Sequence, residues 1–203
     1  MNDYPEYAEV NGKRYKINTD FRVAIKCNEI AEDKTIGDFE RALGIIAVLF
    51  GNEAIDDGKT NGEIYEKLLK IAKTYLSCGK ELNTNNEIPD MDYIEDYGYI
   101  WASFMSDYNG MNIDKENIHW WKFNELMNGL SNSEMGNCCV LNRVRNLRNF
   151  DLKDIKDSKE RRKIKEAKEQ VALKKYKHNK KQPTKEQQES ADKFLKALGI
   201  ERK

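Results

Sequence analysis

Apolar positions in the first 150 residues recur mostly at helical spacing, and one opening stretch reads instead as a pair of strands. Residues 7–10 and 13–17 flank Asn11-Gly12. Asn-Gly tolerates the positive φ angles of a type I′ turn, whose twist matches paired strands, so a hairpin is predicted. A lone hairpin is marginal in water and needs helices or another chain to cover it. Asn18, Thr19 and Asp20 then offer helix caps, and Phe21, Ala24, Ile25, Asn28 and Ala31 follow at helical spacing.

Thr35, with Asp38 three residues on, resembles a capping box for a helix over 36–50. That helix carries Phe39, Ala42, Leu43, Ile45, Ile46, Val48 and Leu49, and helices apolar on several sides are expected to be buried. Asp56-Asp57-Gly58 reads as a turn. Ile64, Leu68, Ile71, Ala72, Tyr75 and Leu76 form the stripe of an amphipathic helix ending near Gly79. Residues 80–88 read as a polar loop. A helix opening at Asp90 carries Ile94, Tyr97, Ile100, Trp101, Phe104, Met105 and Tyr108, and another is predicted over about 117–128. Residues 131–147 read as one more helix, with Met135, Cys138, Cys139, Leu141, Val144 and Leu147 on its apolar face.

After Phe150 the pattern thins. Residues 160–176 keep only Ile164, Ala167, Val171 and Leu173 as a stripe, which predicts a solvated helix. Gln182-Pro183-Thr184 reads as a hinge, and 185–198 as a short amphipathic piece with Phe194, Leu195 and Leu198. The expected architecture is mainly α: an N-terminal β-hairpin packed on a compact multi-helix domain over 1–150, then a charged helical arm and tail over 151–203.

Charge sharpens that division. Residues 1–118 hold 13 Lys and Arg against 23 Asp and Glu, whereas 119–203 hold 22 against 12. The whole chain is neutral, so bulk electrostatics drives it toward neither nucleic acid nor membrane. The unlike halves allow acidic and basic faces of successive copies to pair head to tail. The longest apolar run, residues 45–50, is far short of the roughly 20 residues of a spanning helix. The first residues lack the basic start and apolar stretch of a secretory signal. A soluble cytosolic protein with reduced thiols at Cys27, Cys78, Cys138 and Cys139 is expected.

The densest stretch of rare residues is Ile118-His119-Trp120-Trp121-Lys122-Phe123, at the charge boundary. No P-loop, nucleophile elbow, zinc-protease or dinucleotide motif occurs. His119 has no recognisable nucleophile or orienting partner nearby in sequence and reads as structural. Asp90, Asp92, Glu95 and Asp96 lack calcium-loop spacing and suit a helix start instead. No enzyme activity, cofactor or metal is expected. Arg143, Arg145 and Arg148 open a basic region, but acidic residues from Asp151 to Glu169 interrupt it and supply i,i+4 pairs. Nucleic-acid binding through the basic C-terminal arm is therefore kept as the alternative reading, not the first one.

The early Phe21 helix, the His119-Trp120-Trp121 stretch with Leu126, Gly129 and Leu130, the Arg-rich helix and the segment 151–160 occur in a telling order. That order, over most of residues 1–176, resembles small tail-module proteins of long-tailed phages and prophages of Gram-positive hosts. Such proteins are similar to tail assembly chaperones encoded upstream of the tape measure protein. The resemblance implies a non-enzymatic role in the host bacterial cytoplasm. It implies the tape measure protein as partner, with the tail tube protein as a second one, and self-association. An apolar groove built from Trp101, Met105, Trp120, Trp121, Met127 and Met135, with His119, Phe123, Arg143, Arg145 and Arg148 around it, is the expected partner-binding surface.

Overall fold

The computed structural model describes residues 4–80, 89–132 and 138–176, so Met135 and the expected elements over 182–198 lie outside the described residues. The chain divides into two compact units, residues 1–87 with 92–146, and residues 88–91 with 147–203. Among the described residues the fold is mainly helical, with eight α-helices and one antiparallel hairpin at the N-terminus.

The hairpin is β1 (Tyr7–Val10) paired with β2 (Lys13–Lys16), in a register that sets Ala8 opposite Tyr15 and Val10 opposite Lys13. Asn11 and Gly12 both take positive φ, 53° and 78°, which is the backbone a type I′ turn demands. Ala8, Val10, Tyr15 and Ile17 are buried, so the hairpin gains the helical cover that it cannot do without. Helix α1 (Phe21–Glu32) starts where Asp20 accepts the Arg22 N–H. Helix α2 (Asp38–Phe50) packs on it and on α4 (Glu63–Leu76), and Ile46, Leu49, Leu68 and Ala72 of these two helices are buried.

Two expectations fail here for local reasons. Thr35 does not cap α2, because its N–H and hydroxyl both turn back to the Asp33 carboxylate and the helix begins three residues later. Asp56-Asp57-Gly58 is not a turn but the body of α3 (Asn52–Thr60). Gly58 is there for close approach: a Cβ at that position would lie 2.0 Å from the Tyr65 ring, which is itself pinned by its hydroxyl donating to the Ile55 carbonyl at 2.7 Å. Asp57 points the other way and accepts from Lys13 and the Tyr15 hydroxyl, fastening α3 to the hairpin. Those bonds hold its carboxyl below the usual range. Their contribution is therefore complete above a pH of about 3.9 and is lost as pH falls through the depressed value.

Helix α5 (Tyr97–Asp107) is preceded by a turn in which Asp92 accepts the N–H groups of Ile94 and Glu95, and it starts later than its apolar pattern suggests. Helix α6 spans Trp120–Gly129 and α7 spans Val140–Asn149. The predicted start of α7 at 131 is wrong. Ser131 and Cys139 are held in irregular chain, with Ser131 N–H bound to Asp107 and its carbonyl to Cys139 N–H. Two buried polar side chains accompany this: Ser103 accepts the Leu141 N–H, and Asn142 donates to the carbonyls of Leu130 and Ser131.

In the second unit, α8 (Ser158–Val171) is capped by Asp157, which accepts the Glu160 N–H. The expected solvated helix is only partly so. Ile155 and Leu173 are buried, and Ile164, Ala167 and Val171 are half-buried, so this unit carries a small core of its own.

Gly58→Ala should lower stability by about 1–3 kcal/mol, since the new methyl meets a pinned ring. Gly62→Ala, with nothing within 4 Å of its added Cβ, should be neutral or stabilising by under about 1 kcal/mol. Urea unfolding of the two variants side by side measures the difference.

Candidate functional site

The stretch from Ile118 to Phe123 is where distant parts of the first unit meet. Its backbone pairs in antiparallel fashion with the approach to α1: Phe21 N–H donates to Ile118 O at 3.0 Å and Trp120 N–H to Thr19 O at 2.8 Å. Two helices thus start side by side, one capped by Asp20 and the other by His119. His119 Nδ1 accepts the Trp121 N–H at 3.0 Å, and Nε2 lies 3.2 Å from the Pro5 carbonyl. An Nδ1 that accepts leaves Nε2 to donate, so the ring is the neutral Nε2–H tautomer with both nitrogens engaged. The Tyr4 ring stacks on it at 4.9 Å, and Tyr75 meets it edge-on.

The adjacent tryptophans have parallel tasks. Trp120 Nε1 donates to the Leu76 carbonyl at 3.0 Å, and Trp121 Nε1 to the Tyr75 carbonyl at 2.9 Å. These carbonyls belong to the last turn of α4, where intrahelical donors run out; the Tyr75 carbonyl also accepts the Cys78 N–H at 3.1 Å. Neighbouring residues lie about 100° apart around a helix, so Trp120 can be buried while Trp121 is half-exposed. Phe123, a turn further on, is fully buried and stacks on Phe21 at 4.3 Å and on Phe104 at 5.5 Å.

The other sequence candidates are distributed. Trp101 and Met105 are half-buried and one turn apart on α5, with the Trp101 indole donating to Asn112. Met127 is half-buried on α6, next to Leu126, whose carbonyl accepts the Tyr108 hydroxyl from the end of α5. Trp120 and Phe123 present no surface for a partner. Arg143 is exposed, and Arg145 donates to the Asn142 side chain. Arg148 lies in the second unit, where it donates to the carbonyls of Val171 and Asp90.

Within that second unit a cavity of about 460 Å³ is lined by Pro89, Leu152, Ala172, Leu173 and Tyr176, with Arg148, Lys165 and Lys168 around it. Its volume suits one or two large side chains or a small ligand. Sequence reasoning missed this cavity, because it is formed by residues from three separate segments. It also missed the open face of α2. There Phe39 is 62% exposed and Ile36 38%, although the apolar pattern predicts a buried helix.

Charged chemistry at these places is subdued. Among the described residues no three His, Cys, Asp or Glu side chains come together as metal ligands, and no helix is long and apolar enough to cross a membrane. Burial pushes the Cys27 thiol up to about 12, leaving no appreciable thiolate at neutral pH. Cys139 is buried too, whereas Cys78 and Cys138 are half-exposed.

Replacing His119 separates its capping role from its ring contacts. His119→Ala should cost at least about 1 kcal/mol, and His119→Asn, an able cap, should recover part of it. Equal losses for both in thermal unfolding would argue against the cap. An aromatic disulfide reagent should titrate Cys78 and Cys138 in the native protein, and reach Cys27 and Cys139 only after denaturant.

The family model described as Bacteriophage Gp15 protein matches residues 1–173. No curated protein and no solved structure matches the chain.

Proposed function

The chain belongs to the Bacteriophage Gp15 protein family, and from that premise we propose that it is a non-enzymatic tail assembly chaperone that binds the tape measure protein in the host cytoplasm. The family match over residues 1–173 is the observation that carries the reading, since it makes the protein a phage product. The sequence order that resembles tail-module proteins supplies the finer role.

A tape measure is long and helical, and its apolar stripe needs cover until tube subunits surround it. Cover of that kind takes side chains that are partly exposed, large and adaptable. Trp101 and Met105 of α5 and Met127 of α6 meet this description. Trp121 has its indole N–H committed to α4 and contributes at most a ring edge. Arg143, exposed on α7, supplies a cation for acidic positions of the partner. On α8, Arg162 pairs with Glu166 and Lys165 with Glu169, an arrangement that suits a solvated helix better than a phosphate backbone.

The test is co-expression with a fragment of the tape measure encoded beside this gene. The fragment should become soluble and co-purify with the chain. Met105→Glu or Trp101→Ala should weaken the complex by about 2 kcal/mol, some thirtyfold in Kd. Circular dichroism of each variant should match the parent. A fragment that stays insoluble and never co-purifies defeats the proposal.

A further inference from the structure

Helix α2 packs on α1, α3 and α4, and only its N-terminal turn is left open. Phe39 and Leu43 stand one turn apart on it, exposed and half-buried respectively, and Ile36 precedes them at the corner. The corner is fixed by Arg41. Its guanidinium donates to the carbonyls of Asp33 at 2.7 Å and Ile36 at 2.8 Å, and pairs with Asp38. Arg41 is thereby drawn inward, while Asp38 and Glu40 remain on the surface with Glu32 nearby in the chain. The result is an apolar patch whose surface rim carries Glu32, Asp38 and Glu40 against Lys34, with Arg41 paired to Asp38 at the corner. Single exposed apolar residues are ordinary, but a patch edged mainly by carboxylates favours a basic, apolar partner.

Two such patches facing each other would bring like charges together, so α2 does not suit self-pairing across a twofold axis. The chain carries the complement elsewhere. Residues 193–200 read Lys-Phe-Leu-Lys-Ala-Leu-Gly-Ile, and Glu201, Arg202 and Lys203 follow. Phe194, Leu195 and Leu198 offer the apolar side chains, and Lys193 and Lys196 flank them with the opposite charge. We infer that the acidic-rimmed α2 face of one copy binds the basic, apolar C-terminal segment 193–200 of a second copy. The two surfaces are different, so the contact is heterologous and repeats from copy to copy. It is small, which places it among weak, transient contacts, and its ionic part weakens as salt rises. The contact needs no tape measure protein, so failure of either reading leaves the other standing.

Sedimentation velocity of the full chain tests it. The wild type should show a sedimentation coefficient that rises with concentration. Phe39→Glu and Phe194→Glu should each stay monomeric at concentrations where the wild type associates. An equimolar mixture of the two variants should form a one-to-one dimer and nothing larger, because one variant keeps a working segment and the other a working face. Reversing Asp38 and Glu40 to Lys should abolish association, and adding Lys193→Glu and Lys196→Glu on the same chain should restore it. Far-UV circular dichroism should show all variants folded. A wild type that is monomeric at every concentration, a variant that associates like the parent, or a mixture that stays monomeric overturns the inference.

Discussion

Two indole N–H groups on consecutive residues hold the first unit together. Trp120 and Trp121 donate to consecutive carbonyls at the C-terminal end of α4: Trp120 serves the Leu76 carbonyl, and Trp121 adds a second donor to the Tyr75 carbonyl, which also accepts the Cys78 N–H. The same residues begin α6, pair through the backbone with the start of α1, and follow a histidine bound to Pro5. Three other segments of the chain are therefore referenced to one helix start. The Phe21, Phe104 and Phe123 stack then fills the space behind it. Such an arrangement tolerates little change in Trp120, because both its packing and its donor are committed.

Buried polar groups elsewhere follow the same logic of serving chain ends and irregular segments. Asp96 accepts the Asp92 N–H ahead of α5. Ser103 and Asn142 satisfy backbone around the entry to α7, and Asp107 takes the Ser131 N–H. Each replaces a hydrogen bond that a helix or a loop cannot make for itself, which is why they are retained in the interior despite the cost of burying them.

Local chemistry was enough to read much of this from sequence. The hairpin and its turn follow from Asn11-Gly12, and the helices α1, α4, α5 and α6 follow from apolar spacing with errors of a few residues at their ends. The misreadings involve partners that periodicity does not show, some near in the chain, as Asp33 is to Thr35, and some remote. Gly58 looks like a turn residue until the Tyr65 ring is seen resting on it. Ser131 and Cys139 fall within a helical pattern, but the Ser131 N–H goes to Asp107 and the Cys139 N–H to the Ser131 carbonyl. Phe39 has the pattern of a core residue, yet no element lies over it. The candidate site divides in the same way: His119 and the two tryptophans stand out as rare, but their partners are 44 to 114 residues away and invisible to spacing.

That division bears on where recognition can reside. Rare residues attract attention as functional, but here the rarest cluster is consumed by the fold, through indole donors, a capping imidazole and stacked rings. A surface that must grip another chain is then left to side chains that keep some exposure. Half-buried Trp101 and Met105 are one such place, and Phe39 beside Asp38 and Glu40 is another. The two differ in charge setting and lie on different helices, so the client contact and the self-association proposed above would use separate surfaces. Because the hub around Trp120 fixes α6 against α1 and α4, either surface can bind without the core reorganising, and the ordering cost of binding falls on the partner.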